Sequence, residues 1–190
     1  PKYPFGWKVL GAVFKQTGRL IESLAPSQKC VQLEPKDAEA QNNLGMTLQE
    51  LDRLDEAEAR SRQAIALKPD YAKAHNNLGV TLQKIGKLDE AEACYKQAIT
   101  LKSEYAEAHY NLANTLQELE KLDDAEANYT QAIALKPDYD KAHNNLGATL
   151  QKMGRLDEAE ACYSQAIALK PEFAEAHNNL GTTLKELDRI

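Results

Sequence analysis

Long apolar runs are missing from this sequence, and none approaches the roughly 18–20 residues that would span a bilayer. No signal-peptide pattern opens it either, so no membrane partner is expected. The first residue is Pro1 rather than Met, which suggests a segment trimmed from something longer. Basic residues are in short supply. Lys and Arg number 23 against 29 Asp and Glu, giving a net charge of −6 and a pI near 5.3. Nucleic acid, whose phosphates call for a basic face, is not an expected partner. Cysteine is scarce too. Cys30, Cys94 and Cys162 are odd in number and widely spaced, which fits small buried thiols in a reducing, cytoplasmic setting better than a disulfide frame. A Gly-rich phosphate loop, a nucleophile elbow and a clustered Asp/Glu/His constellation are all absent, so the chain reads as non-enzymatic and without a cofactor.

What is present is a period. "HNNLG" stands at 75–79, 143–147 and 177–181, with "QNNLG" at 41–45 and "HYNLA" at 109–113. The Leu-Gly or Leu-Ala pairs at 44–45, 78–79, 112–113, 146–147 and 180–181 are all 34 residues apart. Pro35, Pro69, Pro137 and Pro171 keep the same phase, with Ser103 in the one vacancy. Repeats at such a period signal a stacked architecture.

Within one period the apolar residues recur at helical steps. Ala74, Leu78, Leu82 and Ile85 define a helix over 72–85, and Ala91, Tyr95, Ala98 and Ile99 another over 89–101. Gly86 and Lys87 form the turn between them. Asp89 with Glu92 is expected to cap the second helix as a box, repeated by Asp55/Glu58, Asp123/Glu126 and Asp157/Glu160. A lone hairpin cannot bury its apolar stripe, so the units must stack into an all-α α-solenoid.

A 34-residue helix pair carrying Leu78, Gly79, Ala91, Tyr95, Ala98 and a closing proline resembles the tetratricopeptide repeat (TPR). The resemblance covers nearly the whole chain, 1–190, as a single array. It implies a right-handed superhelix with full repeats at 38–71, 72–105, 106–139 and 140–173. A fifth is cut after its first helix (174–190). An atypical leading unit over 4–37 keeps register through Trp7, Leu10, Gly11, Phe14 and Gly18. In that unit Ser23 replaces the usual alanine. Pro26 falls where a helix interior costs about 3 kcal/mol, so a shortened second helix with Pro26 in its first turn is expected. At the other end Leu180, Leu184 and Leu187 are expected to be partly uncovered, an apolar face prone to self-association.

The resemblance turns the first helices toward a concave groove. A helical wheel sets Asn76, Asn77 and Gln83 opposite the apolar stripe, with Asn42, Asn43 and Gln49 in the previous repeat. Their counterparts are Tyr110, Asn111, Asn114 and Gln117, then Asn144, Asn145 and Gln151, then Asn178 and Asn179. Asn43, Asn77, Asn111, Asn145 and Asn179 precede the leucine in every copy. Stacked, they form a ladder of amides, each both donor and acceptor, that matches a peptide backbone without reading its sequence. The ladder is similar to that in the TPR superhelix of O-linked N-acetylglucosamine transferase, which implies an extended peptide or protein partner. Purely inter-repeat hydrogen bonding is the other reading. An assembly or positioning module of a larger protein, such as a glycosyltransferase, is the alternative function.

Charges beside the ladder alternate: Glu39 and Glu50, Lys73 and Lys84, Glu107 and Glu118, Lys141 and Lys152, Glu175 and Glu186. Exposed Glu–Lys pairs between neighbouring repeats are expected, each worth about 0–1 kcal/mol. His75, His109, His143 and His177 fall one per repeat, too far apart for one metal and better read as packing residues.

Overall fold

The computed structural model describes residues 3–189. Among them the chain is all-α, a run of helix–turn–helix units in the solenoid class. The eleven helices are α1 (Pro4–Gln16), α2 (Leu20–Leu33), α3 (Ala38–Glu50), α4 (Leu54–Leu67), α5 (Ala72–Lys84), α6 (Leu88–Leu101), α7 (Ala106–Glu118), α8 (Leu122–Leu135), α9 (Asp140–Lys152), α10 (Leu156–Leu169) and α11 (Ala174–Glu186). No helix is long and apolar enough to cross a membrane among the described residues. The helices divide into two compact units, Pro1–Lys102 and Ser103–Ile190. In each, consecutive helices pair as hairpins, and the second helix of a hairpin also packs on the helix that follows it.

The core is alanine and leucine, with a tyrosine ring in three of the hairpins. Ala91, Ala98, Leu82 and Tyr95 are fully enclosed in the α5–α6 hairpin. The α9–α10 hairpin encloses Ala159, Ala166 and Tyr163 in the same way. Small residues let the axes approach, and the ring fills what remains. Gly79 and Gly147 are required by that ring, because a Cβ on either would lie 2.7 Å from Tyr95 or Tyr163. The hairpin turns use the left-handed conformation, at Gly18, Gly86 and Gly154 but also at Asp52 and Glu120, and Asp188 after α11 repeats it. A non-glycine residue there costs roughly 1 kcal/mol, which at Asp52 and Glu120 the packed helices on both sides sustain.

Two expectations about helix ends are corrected. The expected capping boxes do not form. Helix α6 begins at Leu88 with Lys87 as its N-cap, so Asp89 sits inside the first turn and makes no side-chain cap. Glu58, Glu126 and Glu160 instead reach sideways to the turn cation of the next repeat. Lys87 pairs with Glu58 at 3.1 Å, Arg155 with Glu126 at 2.6 Å, and Arg189 with Glu160. The side-chain cap that does form lies elsewhere, in a place the period does not mark. Asp37 accepts from the Glu39 and Ala40 amides at the start of α3.

The second correction concerns Pro26. Helix α2 is not shortened; it spans fourteen residues with Pro26 inside it. Proline lacks the N–H that would bond the Glu22 carbonyl, and Glu22 is exposed, so water can satisfy that oxygen. The ring itself is buried near Gly11.

Candidate functional site

The first helix of each hairpin (α1, α3, α5, α7, α9, α11) presents the residues singled out by the period. From α3 onward its start is tied down by its fourth residue. His75 Nε2 donates to the Pro69 carbonyl at 2.9 Å, His143 to Pro137 at 3.1 Å and His177 to Pro171 at 2.8 Å. His109 reaches Ser103 at 3.3 Å, and Gln41 does the same service toward Pro35 at 3.0 Å. A carbonyl can only accept, so His75, His143 and His177 carry a proton on Nε2, whereas His109 also turns Nδ1 to the Asn128 amide oxygen at 3.0 Å. The histidines therefore fasten the inter-repeat turn to the helix that follows it.

The asparagines fall into two classes that the wheel does not separate. Asn42, Asn76 and Asn144 are expected in the open polar arc, but each is only 1% exposed. Asn42 and Asn144 lie between successive first helices and serve as partners for the second asparagine of the next repeat. Asn77 Nδ2 donates to Asn42 Oδ1 at 2.9 Å, and Asn179 Nδ2 to Asn144 Oδ1 at 3.1 Å. Where Tyr110 replaces the first asparagine, Asn145 Nδ2 donates to the Tyr110 hydroxyl at 3.2 Å and to Asn114 Oδ1 at 2.9 Å. Asn178, in the last helix, is exposed.

The second asparagines remain at the surface. Asn77, Asn111, Asn145 and Asn179 are half-buried, and Asn43 is exposed. Asn43 differs because the preceding repeat offers Val9 and Lys8 at the two asparagine places. One turn on, Thr47, Thr81, Thr115, Thr149 and Thr183 return their hydroxyl to the asparagine's own carbonyl at 2.9–3.1 Å, which lets a buried threonine sit in each helix.

The glutamines are held from beneath by the core tyrosines. Tyr95, Tyr129 and Tyr163 donate their hydroxyls to Gln83, Gln117 and Gln151 at 3.2, 3.0 and 3.0 Å. Gln49 has no such phenol below it, because Ser61 stands where the others have tyrosine. Burial raises the phenol pKa of Tyr129 and Tyr163 well above the ordinary range, so these hydroxyls stay donors.

The alternating charges do not pair as expected. Glu175 takes the Asn144 amide at 3.1 Å and Glu186 the Gln151 amide at 3.0 Å. Lys152 turns to Glu120 at 3.4 Å. Glu39 and Glu50 are met by Lys8 and Lys15 of the leading helix at 3.4 and 3.5 Å. Glu175 and Glu186 thus take amides from the same helix that carries Lys141 and Lys152, and Lys73, Lys84 and Lys141 are left exposed.

Beside Lys15 lies a cavity of about 160 Å³, bordered by Trp7, Gly11, Ser27, Cys30, Asn43 and Met46 among others. It belongs to the first unit, and the period gives no sign of it except that Ser27 and Ser61 break the tyrosine column. Burial lowers the Lys15 pKa, opposed by the Glu50 carboxylate.

Comparison with known proteins places this arrangement. Models of the tetratricopeptide repeat match residues 36–104, 70–138 and 140–173. No curated protein sequence matches the chain. Among solved structures, the chain is similar to TTC0263, a thermophilic TPR protein of Thermus thermophilus. The identity is 26% and the TM-score 0.78, over 96% of this chain and 100% of that one. PilW, a type IV pilus biogenesis factor, aligns at 21% identity and TM-score 0.89 over 98% of this chain and 86% of PilW. YrrB, described as a TPR protein with an unusual peptide-binding site, aligns at 19% identity and TM-score 0.72 over 93% and 91%.

Proposed function

Because the chain belongs to the tetratricopeptide-repeat family, we propose that it is a non-catalytic protein-interaction scaffold whose first-helix face holds an extended segment of a partner protein. The observation that carries this reading is the orientation of the second asparagines. Asn77 and Asn179 each commit one amide N–H to the preceding repeat, whereas Asn145 commits both, to Tyr110 and Asn114. These bonds fix the side chains, and for Asn77 and Asn179 the second N–H and the oxygen are left for a ligand. An amide so held loses little further freedom when it meets a peptide C=O and N–H. The resemblance to the asparagine ladder of O-linked N-acetylglucosamine transferase supports the same use, as does the peptide-binding site named for YrrB.

Asn43 offers the cleanest test, since no neighbouring amide depends on it. A disordered peptide of mixed sequence, titrated by calorimetry, is expected to bind Asn43→Ala several-fold more weakly at unchanged melting temperature. It should bind the triple variant Asn77→Ala/Asn111→Ala/Asn145→Ala more weakly still. Unchanged affinity in both would overturn the reading.

One observation favours assembly as a second reading. Leu180 and Leu184 are half-buried, whereas their counterparts Leu78 and Leu82 are 3% and 0% exposed. A further helix, from this chain or from a second copy, would cover them. Light scattering at rising concentration distinguishes a self-associating chain from a monomer.

A further inference from the structure

Three hairpins carry a tyrosine on the second helix whose hydroxyl ends on a glutamine of the first. In two of them the ring lies over a glycine. Tyr95 covers Gly79 and Tyr163 covers Gly147, close enough that a Cβ on either glycine would clash. The leading hairpin keeps this frame and lacks the ring. Ser27 stands at the tyrosine position, Gly11 at the glycine position and Lys15 at the glutamine position. A Cβ on Gly11 would meet Ser27 Oγ only at 3.5 Å, an ordinary contact, so local packing does not demand glycine there. What remains is the cavity of about 160 Å³ bordered by these same three residues, with Trp7, Cys30 and Met46 as apolar walls.

We infer that this cavity is a socket for an aromatic side chain, a tyrosine in preference to a phenylalanine, supplied by the polypeptide that lies on the first-helix face. The volume fits, since an apolar cavity of about 150 Å³ accommodates a benzene ring. The chemistry of the walls fits as well. The ring would meet Trp7 and the Met46 thioether, both good partners for an aromatic. The Ser27 and Thr47 hydroxyls, 3.4 Å apart, line the cavity; each donates to a carbonyl of its own helix and can accept from a phenol O–H. The Lys15 ammonium replaces the glutamine that accepts from the internal tyrosines. It donates to a phenol oxygen, which phenylalanine lacks. Access comes from the ladder side, because Asn43 itself borders the cavity. The approach along α1 is apolar, with Val9 45% exposed on the same helix face as Ala12. A partner chain held by Asn43 would thus be anchored at one residue by its ring.

The socket rests on the reading of the first-helix face as peptide-binding, and the test separates the two. Trp7 is the single tryptophan, so its indole N–H resonance reports on this cavity alone. Peptides identical but for one central Tyr, Phe or Ala are titrated against the full chain. The Tyr peptide is expected to shift the Trp7 signal and to bind about tenfold or more tighter than the Ala peptide, with Phe between them. Ser27→Tyr, which supplies the missing ring internally, should erase that preference and raise the melting temperature. Ala12→Phe, at the exposed rim, should erase it as well, and serves if Ser27→Tyr folds poorly. Equal binding of Tyr and Ala peptides, or a preference that survives both substitutions, overturns the socket while Asn43-dependent binding still stands. If no peptide binds at all, both readings fall.

Discussion

In the α5–α6 hairpin the Tyr95 ring is sealed between the helices and its hydroxyl ends on Gln83. In the α1–α2 hairpin the same three-residue frame holds Ser27, Gly11 and Lys15, and a cavity occupies the space of the ring. The couplings to the next repeat differ in kind too. Asn42 accepts from Asn77 as one neutral amide to another. Lys8, which stands where Asn42 stands in the next repeat, binds Asp37 at 2.6 Å as an ion pair. The two hairpins share their small-residue frame and differ in what fills it, a ring in one and a cavity in the other.

Emptying the closed hairpin should produce the largest effect. Tyr95→Ser, which copies the leading unit into α6, removes a fully buried ring and is expected to cost about 3–5 kcal/mol in urea unfolding. A loss below about 1 kcal/mol would mean that the ring is not what holds this hairpin.

The glycines should answer with opposite signs. Gly79→Ala drives a Cβ to 2.7 Å from the Tyr95 ring and is expected to cost about 1–3 kcal/mol. Gly11→Ala meets only ordinary contacts and should stabilise by about 0.5–1 kcal/mol through helix propensity. Thermal and urea unfolding of the two variants side by side check the sign. Repeat three shows the compensation that a methyl requires. Ala113 is tolerated there beside Asn114, which accepts the Tyr129 hydroxyl at 2.6 Å, and Tyr110 packs 6.0 Å from that ring.

The smallest effect separates ionic from amide coupling. Burial opposes ionisation of Asp37, yet the Lys8 ammonium and the Ala40 and Glu39 amides hold its carboxyl below the ordinary range. The hydrogen bond from Lys8 to Asp37 raises the lysine in turn, against burial. A depressed carboxylate stabilises above its unfolded pKa of about 3.9, and that contribution is lost as the pH falls through the folded value. A raised lysine stabilises below about 10.4 and loses its contribution as the pH rises through the folded value. Lys8→Ala is therefore expected to cost about 1 kcal/mol at pH 7, with the deficit vanishing toward pH 2. The deficit of Asn77→Ala should hold steady across that range. Parallel urea titrations at the two pH values check both.

The helices, their period and the hairpin pairing are legible in the sequence because each depends on spacing within one short segment. Leu78, Ala91 and Tyr95 mark helix faces wherever the chain goes. The site is legible in part. A helical wheel puts the second asparagines at the surface, where the structure has them, but it puts Asn42, Asn76 and Asn144 there as well. A wheel knows which face of its own helix a residue occupies and nothing of the helix that arrives beside it. Glu58, Glu126 and Glu160 look like caps for the same reason, since their ion-pair partners stand about thirty residues away. Pro26 looks like a helix breaker because its sequence context does not say that Glu22, the residue whose carbonyl loses its partner, is exposed.

The sequence by itself determined the 34-residue unit, the small-residue frame and the surface amides, since local propensity and periodicity act over a few turns of helix. Tertiary structure alone decided which amide of each pair is buried, which charges meet, and that Ser27 leaves a cavity rather than a collapsed core. Those outcomes depend on how neighbouring helices close over one another, and on the space that remains where a ring is missing.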